Sequence, residues 1–355
     1  LGAPQRYVQG RNATKEIGKY LTDCNNILVI GGKRGIAAIQ QDFENSCNQL
    51  KINTHFELFQ GECCEEEINR ISTLVQKMKF NGICGCGGGK SIDTAKCVAS
   101  INNIKCFILP GIAATDAPCS ALSVIYTKEG VFQRVEFFSK SPDLVLMDTQ
   151  VIVKSPVRTL VSGMGDALAT YFEAEQAFLS DSMNCLNGKS TLTGQIIAKA
   201  CYQTLLQYGM QAKISNEAQA ITKQFEAIVE ANTLLSGLGF ESGGLCAAHA
   251  IHNGFTAIKE THSMLHGEKV AFGLLVQLVL QNTPDQIFQE VLKFCKAVNL
   301  PTNLRQLGVE KVTDEQLMLV AQIACAQGSS IHNHSFNVDE LQVVDAIKLA
   351  DLMGQ

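Results

Sequence analysis

The stretch Gly82-Ile-Cys-Gly-Cys-Gly-Gly-Gly-Lys-Ser91 decides the fold class of the amino-terminal part of the chain. A short apolar run at residues 82–86 leads into a glycine cluster, and a helical pattern follows at residues 91–100. A strand that passes through glycines into a helix is typical of β-α-β units, in which parallel strands alternate with helices. This stretch therefore predicts an α/β domain built on a parallel sheet.

The neighbouring sequence repeats this alternation. Strands are predicted at residues 27–30, 55–59, 82–86 and 106–109, helices end near residues 50, 79 and 100, and residues 122–137 form a hairpin. After about residue 155 the strand-like patterns stop, and long helical periods continue to residue 355. We therefore predict an α/β, Rossmann-like domain at residues 1–155 and an all-α domain at residues 156–355. A cleft between two such domains is the usual place for a site.

The glycine-rich segment at residues 85–91 predicts a binding site for the phosphate of a nucleotide. Main-chain N–H groups at a helix N-terminus bind phosphate, and glycine lets the backbone approach it closely. Two common motifs do not fit, because the Walker A loop requires glycine where Cys84 stands and the dinucleotide fingerprint requires it at Lys90. A tight turn without a ligand is the alternative.

Composition excludes several classes of partner. The net charge is −5 and there are no runs of Lys or Arg, which argues against nucleic acid and against an anionic membrane surface. No apolar stretch reaches the ~18 residues of a membrane span, and residues 270–280 are predicted to form a buried helix. The fourteen cysteines are scattered, so we expect reduced thiols in a cytoplasmic protein, with Cys84 and Cys86 as small buried hydrophobic residues.

One aspartate and three histidines in helical surroundings are candidate metal ligands. Asp166 stands at the predicted start of an amphipathic helix, His249 and His252 lie one turn apart, and His266 begins a further helix. An aspartate with two histidines binds Zn²⁺ or Fe²⁺ and leaves a coordination position open for substrate. Taken singly, Asp166 is also typical of a helix cap, each histidine of a hydrogen-bonded core residue, and Asp116 of a turn.

Taken together, these segments resemble the glycerol dehydrogenases of the iron-containing (type III) polyol dehydrogenase superfamily. The resemblance extends from residue 7 to residue 355, and its most specific blocks are residues 87–96, 115–126, 163–171, 239–245, 248–254 and 266–272. It implies a dehydroquinate synthase-like fold, a homo-oligomer, and the metal-dependent oxidation of glycerol and related vicinal diols to dihydroxyacetone, with NAD⁺ as hydride acceptor.

The resemblance also implies roles for individual residues. Zn²⁺ would be held by Asp166, His249 and His266, with His252 beside the metal as a further catalytic residue. The polyol substrate would contact three residues, His249, Asp116 and Phe240. Asp116 would hydrogen-bond a substrate hydroxyl and serve in catalysis, and Phe240 would line the pocket. NAD⁺ would lie along Gly87, Gly88, Gly89, Lys90, Ser91, Ile92, Asp93, Gly111, Ile112, Ala113, Ala114, Ser120, Leu122 and Tyr126.

Three positions depart from the family pattern. Gly32 replaces an aspartate that would hydrogen-bond the adenosine ribose and disfavour NADP, and Lys33 beside it is cationic, so NADP is a second candidate cofactor after NAD. Gly111 and Ala114 replace hydroxyl residues that would contact the cofactor. These losses leave open a non-catalytic, NAD-binding sensor as an alternative function.

A lyase like dehydroquinate synthase is the other alternative. Such an enzyme needs basic residues to bind a phosphorylated substrate. No cluster of Lys or Arg surrounds the candidate metal ligands, and Lys259 and Lys269 are the nearest in sequence. The sequence therefore favours the dehydrogenase.

Overall fold

A computed structural model describes all 355 residues, and a six-stranded parallel sheet forms its first unit. The strands of the chain are β1 (Tyr7–Gly10), β2 (Asn26–Gly31), β3 (Asn53–Leu58), β4 (Gly82–Gly87), β5 (Lys105–Pro110), β6 (Leu122–Tyr126), β7 (Phe132–Phe137) and β8 (Leu144–Asp148). The sheet order is β1-β8-β5-β4-β2-β3, and every neighbouring pair is parallel. Strands β6 and β7 form a separate antiparallel hairpin.

Three helices connect the strands of this sheet in the predicted way. Helix α1 (Lys33–Gln49) joins β2 to β3, α2 (Glu65–Met78) joins β3 to β4, and α3 (Gly89–Asn102) joins β4 to β5. Parallel strands need such crossover connections, and strands covered on both faces are apolar along their whole length. In β2, residues 27–30 are all fully buried. The predicted β-α-β units and the hairpin are confirmed.

Two strands of the sheet, β1 and β8, are not predicted by the alternation of strand-like and helical patterns in the sequence. Strand β8 lies between β5 and β1 and is buried at every residue, although it follows the hairpin rather than a helix. Its terminal residue Asp148 accepts hydrogen bonds from the backbone N–H groups of Asn12 (2.9 Å) and Thr14 (3.0 Å). The amino-terminal segment therefore reaches the sheet through partners more than a hundred residues away.

The remaining helices follow β8. They are α4 (Thr149–Ile152), α5 (Val157–Leu179), α6 (Leu192–Glu217), α7 (Lys223–Glu230), α8 (Ser236–Gly243), α9 (Ala247–Phe255), α10 (His266–Leu280), α11 (Asp285–Val298), α12 (Asp314–Ala324) and α13 (Glu340–Gly354). Helix α10 is buried over most of its length and packs against α5, α9 and α13, which confirms the buried helix expected at residues 270–280. No helix in the structure has both the length and the apolar character needed to cross a membrane.

By their internal contacts, residues 2–156 and 215–234 form one compact unit, and residues 157–214 and 235–355 form the other. The domain boundary at residue 155 stays a prediction. In the structure, residues 215–234 also belong to the unit that contains the sheet. Asn216 donates a side-chain hydrogen bond to the carbonyl oxygen of Val153 (2.7 Å). Asn232 does the same to Ala113 (3.0 Å). These buried amides anchor the segment.

All fourteen cysteines are free thiols, and twelve of them are buried. Cys84 and Cys86, both in β4, are fully buried, so their interpretation as small hydrophobic residues is confirmed. Burial raises the pKa of the Cys84 thiol well above its ordinary value and that of Cys86 to about 12. Both thiols are therefore uncharged at neutral pH.

A buried lysine attaches the hairpin to α3. The Nζ atom of Lys96 lies 2.9 Å from Oδ1 of Asp93, and it donates hydrogen bonds to the carbonyl oxygens of Ala117 (2.9 Å) and Leu122. Oδ2 of Asp93 accepts the backbone N–H of Val124 (3.0 Å). Lys96 is only 3% exposed, so this pair is shielded from solvent.

Replacing this lysine should destabilise the sheet-containing unit strongly. Because Lys96→Met leaves a buried carboxylate without its cation, we expect a loss of about 3–5 kcal/mol in the free energy of unfolding, measured by chemical denaturation. The control is Lys105→Met, which removes a partner from the more exposed pair with Asp143 and should cost about 1 kcal/mol or less. Equal losses in the two variants would contradict the structural role of Lys96.

Candidate metal centre

Asp166, His249 and His266 meet at one point in the helical unit. One ligand atom from each side chain lies within 4.8 Å of the other two. The Nε2 atoms of His249 and His266 lie 3.3 Å and 3.2 Å from Oδ1 of Asp166. Asp166 is fully buried, whereas the side chain of His266 is 36% exposed. One carboxylate and two imidazoles, buried on one side and accessible on the other, fit a divalent ion that keeps a coordination position open.

The charges of the cluster also favour a cation. Burial alone would raise the pKa of Asp166, but the charge of His266 and hydrogen bonds from both histidines hold it well below its ordinary value. Burial would lower the pKa of His249, and the carboxylates of Glu173 and Asp166 raise it well above its ordinary value instead. The cluster therefore stabilises positive charge beside Asp166, and a metal ion can replace the protons there.

The backbones of α5 and α10 approach each other closely at this cluster. A Cβ atom on Gly165 would lie 2.3 Å from the carbonyl oxygen of Gly267, and a Cβ atom on Gly267 would lie 1.8 Å from that of Ser162. Only glycine fits at either position. Because Gly267 directly follows His266, the close approach places the His266 ring beside Asp166.

The position of Asp166 differs from the prediction. The residue lies in the interior of α5, which begins at Val157, so the expected helix start and the alternative of a helix cap are both wrong. The glycines that precede Asp166 in the sequence were expected to precede the helix. They lie inside α5 instead, because Gly165 is needed for the contact with α10.

A second carboxylate, Glu173, was missed by the sequence analysis. It is fully buried, its Oε2 lies 2.6 Å from Nδ1 of His249, and its Oε1 accepts the backbone N–H groups of Cys246 (2.9 Å) and His249 (3.0 Å). One signal was available, because Glu173 follows Asp166 by two helical turns and so lies on the same face of α5.

His252 lies beside the cluster and outside the set of three ligands. Its Nε2 atom is 3.0 Å from Nδ1 of His266, and its Nδ1 atom is 3.0 Å from Oδ1 of Asn253. Burial and the neighbouring positive charges hold the pKa of His252 well below its ordinary value, so the ring is neutral. A neutral ring can accept the Nδ1 proton of His266 in a hydrogen bond, which leaves Nε2 of His266 free for a metal.

Comparison with known proteins identifies the family. Residues 4–149 match the family model described as iron-containing alcohol dehydrogenase. The chain is 45% identical to the glycerol dehydrogenase of Citrobacter freundii, with 100% of this chain and 98% of the relative covered, and 47% identical to that of Thermotoga maritima, with 99% and 96% covered. The crystal structure of glycerol dehydrogenase from Schizosaccharomyces pombe superposes with a TM-score of 0.97 at 40% identity, covering 100% of this chain and 91% of that one.

The chain belongs to the glycerol dehydrogenase family. This confirms the resemblance found in the sequence and the expected fold class, a parallel α/β sheet unit followed by helices, as in the known glycerol dehydrogenase structures. The chain is accordingly an oxidoreductase.

In this member of the glycerol dehydrogenase family, the glycine loop leaves the N-terminus of α3 open. Gly87 has a φ of +105°, a conformation that favours glycine. Gly88 caps α3 without a side-chain hydrogen bond, and a Cβ atom on Gly89 would meet nothing within 4 Å. The first N–H groups of a helix have no partner within the helix, and a glycine beside them leaves room for the phosphate groups of a dinucleotide.

Two of the predicted cofactor residues direct their side chains into the protein. Oγ of Ser91 lies 2.7 Å and 2.9 Å from the carbonyl oxygens of Cys86 and Gly88. The carboxylate of Asp93 contacts Lys96 and the backbone of Val124. These side chains shape the glycine loop and the hairpin, so only their backbone is available to a cofactor.

Among the other predicted cofactor residues, Gly111 and Lys90 lie at the glycine loop itself. The N–H group of Gly111 donates to the carbonyl oxygen of Gly87 (3.0 Å), and Lys90 pairs with Glu62 while its Nζ atom lies 5.5 Å from the ring centre of Tyr126. Oγ of Ser120 donates to Ala117 (3.2 Å) and is fully buried. Ile112, Ala114 and Leu122 are partly exposed and follow the carboxyl end of β5 or begin β6.

The two predicted substrate residues outside the triad are both buried. Asp116 lies in the turn after β5 and is 8% exposed, and Phe240 lies in α8 and is 6% exposed. Their contacts with substrate stay predictions.

A side chain at the contact between α5 and α10 should disturb the metal centre. Gly267→Ala places a Cβ atom against backbone that cannot yield cheaply, so we expect a loss of about 1–3 kcal/mol in stability and weaker zinc binding, because His266 is displaced. Thermal unfolding and equilibrium dialysis with zinc measure the two effects. Gly10→Ala, where a Cβ atom meets nothing within 4 Å, is the control. Unchanged zinc binding by Gly267→Ala would show that this contact does not set the ligand geometry.

Proposed function

We propose that the chain oxidises glycerol and related vicinal diols to the corresponding hydroxyketone, dihydroxyacetone from glycerol, with NAD⁺ as hydride acceptor. The observation that carries this proposal is the cluster of Asp166, His249 and His266, in which a buried carboxylate meets two partly exposed histidines. Its support is the 40–47% identity to glycerol dehydrogenases over almost the whole chain.

The residues of the chain divide the work between binding and placement. In the proposal, Asp166, His249 and His266 hold the divalent ion, Asp116 hydrogen-bonds a substrate hydroxyl, and Phe240 excludes water. An ion held by these three side chains would lower the pKa of a substrate hydroxyl and so favour the loss of its proton. The nicotinamide of a bound dinucleotide would accept the hydride, and the N-terminus of α3 would hold the pyrophosphate of that dinucleotide. A water chain can accept the hydroxyl proton, so no side-chain base is required.

We propose zinc as the ion, with iron as the alternative. Two imidazole nitrogens and one carboxylate oxygen suit both ions, and zinc accepts a three-residue site that leaves the fourth position to substrate. A vicinal diol would offer the ion two oxygens where a simple alcohol offers one, and a catalytic zinc site can expand from four to five ligands. Glycerol and 1,2-propanediol should therefore react faster than 1-propanol.

The first test is formation of NADH from glycerol and NAD⁺ by the purified protein. We expect turnover to disappear after chelation and to return with added zinc. His266→Ala should lower kcat/KM about a hundredfold or more, because several kcal/mol of transition-state stabilisation depend on the ion. His262→Ala, at an exposed histidine whose ring bonds the backbone of Thr256, is the control. If neither NAD⁺ nor NADP⁺ is reduced with any of the diols, the result would instead favour the sensor or the lyase.

The second test concerns the choice of dinucleotide. Gly32 directly follows β2, whose last residue Gly31 pairs with Cys86 of β4 just before the glycine loop. A Cβ atom on Gly32 would meet nothing within 4 Å, and the exposed Lys33 follows it. We propose that NAD⁺ is preferred and that NADP⁺ is also used. Gly32→Asp should lower kcat/KM for NADP⁺ about fivefold or more relative to NAD⁺, because like charges repel by ~1 kcal/mol at 4 Å even in water. Gly32→Asn is the uncharged control, and an unchanged ratio in Gly32→Asp would place the 2′-phosphate elsewhere.

A further inference from the structure

We infer that Glu173 is a positioning residue, which fixes the ring of His249 in the orientation and tautomer that present Nε2 to the metal. This inference rests on the metal binding proposed above. It goes beyond that proposal by assigning a role to a residue that contacts neither the substrate nor the open side of the cluster.

The carboxylate of Glu173 contacts the ring of His249 directly. Oε2 of Glu173 lies 2.6 Å from Nδ1 of His249, while Nε2 of the same ring lies 3.3 Å from Oδ1 of Asp166. A carboxylate only accepts hydrogen bonds, so Nδ1 must carry the proton. When the ring is neutral, the lone pair is then on Nε2 and points toward the other two ligands. Carboxylates bound to the remote nitrogen of a ligating histidine act in this way in metal sites.

Glu173 also helps to attach the helix that carries His249. Helix α9 begins after Cys246, which provides no side-chain cap. The first N–H groups of α9 have no partner within the helix and are bonded by side chains of other helices. Oε1 of Glu173 accepts the backbone N–H groups of Cys246 and His249, and Oε1 of Gln277 accepts that of Ala248 (2.8 Å). These acceptors stand on α5 and α10, the helices that carry Asp166 and His266. Gln277 therefore caps α9 without touching the His249 ring, whereas Glu173 does both.

An amide in place of this carboxylate would change the hydrogen bonds around His249. A glutamine at position 173 has the same shape but only one acceptor oxygen. If that oxygen faces the two backbone N–H groups, the NH₂ group faces Nδ1 and forces the proton to Nε2, where it blocks the metal. If the amide is flipped, its NH₂ group faces two other donors. Neither arrangement reproduces the contacts of Glu173.

The experiment measures the zinc dissociation constant by competition with a chromogenic chelator, together with the thermal unfolding of the metal-free proteins. Glu173→Gln should weaken zinc binding about 10- to 100-fold. Glu175→Gln makes the same chemical change one half-turn further along α5, at a residue that bonds Tyr171, and should leave the constant within about threefold. Gln277→Met removes a cap of α9 and should lower the unfolding temperature with a much smaller effect on zinc.

The outcomes separate the two proposals. Failure of the unsubstituted protein to bind zinc would overturn the metal site and this inference together. Zinc binding by the unsubstituted protein with unchanged affinity in Glu173→Gln would overturn the role of Glu173 alone. Equal weakening in Gln277→Met and Glu173→Gln would assign the effect to helix capping and would also overturn it. If Glu173→Gln does not fold, Glu173→Asp, whose shorter carboxylate cannot reach both partners, must show the same weakening.

Discussion

The contact between α5 and α10 at Gly165 and Gly267 is the constraint on which the metal centre depends. Two backbones that meet without intervening side chains hold their helices at a fixed separation, because neither can approach further or slide without a clash. Asp166 and His266 each stand next to one of these glycines in the sequence. The distance between the two ligands is therefore set by main-chain packing, which is more rigid than a pair of long side chains on loops.

The sheet-containing unit uses buried polar contacts for a similar purpose. Lys96 joins α3 to the segment that contains Ala117 and Leu122, and Asn232 joins the π-helical turn at residues 231–235 to Ala113. All of these acceptors belong to residues 111–126, the segment expected to border the cofactor. That segment has little regular structure of its own until β6 begins, so polar anchors beneath it supply the order that a helix or strand would otherwise provide.

Sequence patterns predicted those elements of the fold that are determined by residues close to one another in the chain. The strands β2 to β5 and the helices between them follow from apolar runs, glycines and helical periods. Strand β8 escaped prediction because its partners β1 and β5 settle its place in the sheet, and β1 is more than a hundred residues away. The segment 215–234 escaped for the same reason, since its helical pattern does not reveal which unit it packs against.

The candidate site shows the same limit. Residue chemistry was enough to select Asp166 and histidines as ligands, and the resemblance selected His249 and His266 among them. The start of a helix was predicted at Asp166, because the sequence does not show that a second helix needs the space left by the glycine before it. Glu173 was missed because its partners at Cys246 and His249 are more than seventy residues further along the chain. The role of a buried acidic residue can be assigned only when the residues that contact it in the folded structure are known.

The interrupted course of the chain has a consequence for biosynthesis. The sheet is complete once β8 has been made, yet its unit still lacks residues 215–234, which follow after the long helices α5 and α6. During translation the hydrogen bond between the carbonyl oxygen of Ala113 and the side chain of Asn232 cannot form until residue 232 has been made. The unit at the front of the chain can therefore reach its final packing only after a large part of the helical unit has left the ribosome, and the two halves cannot mature strictly one after the other.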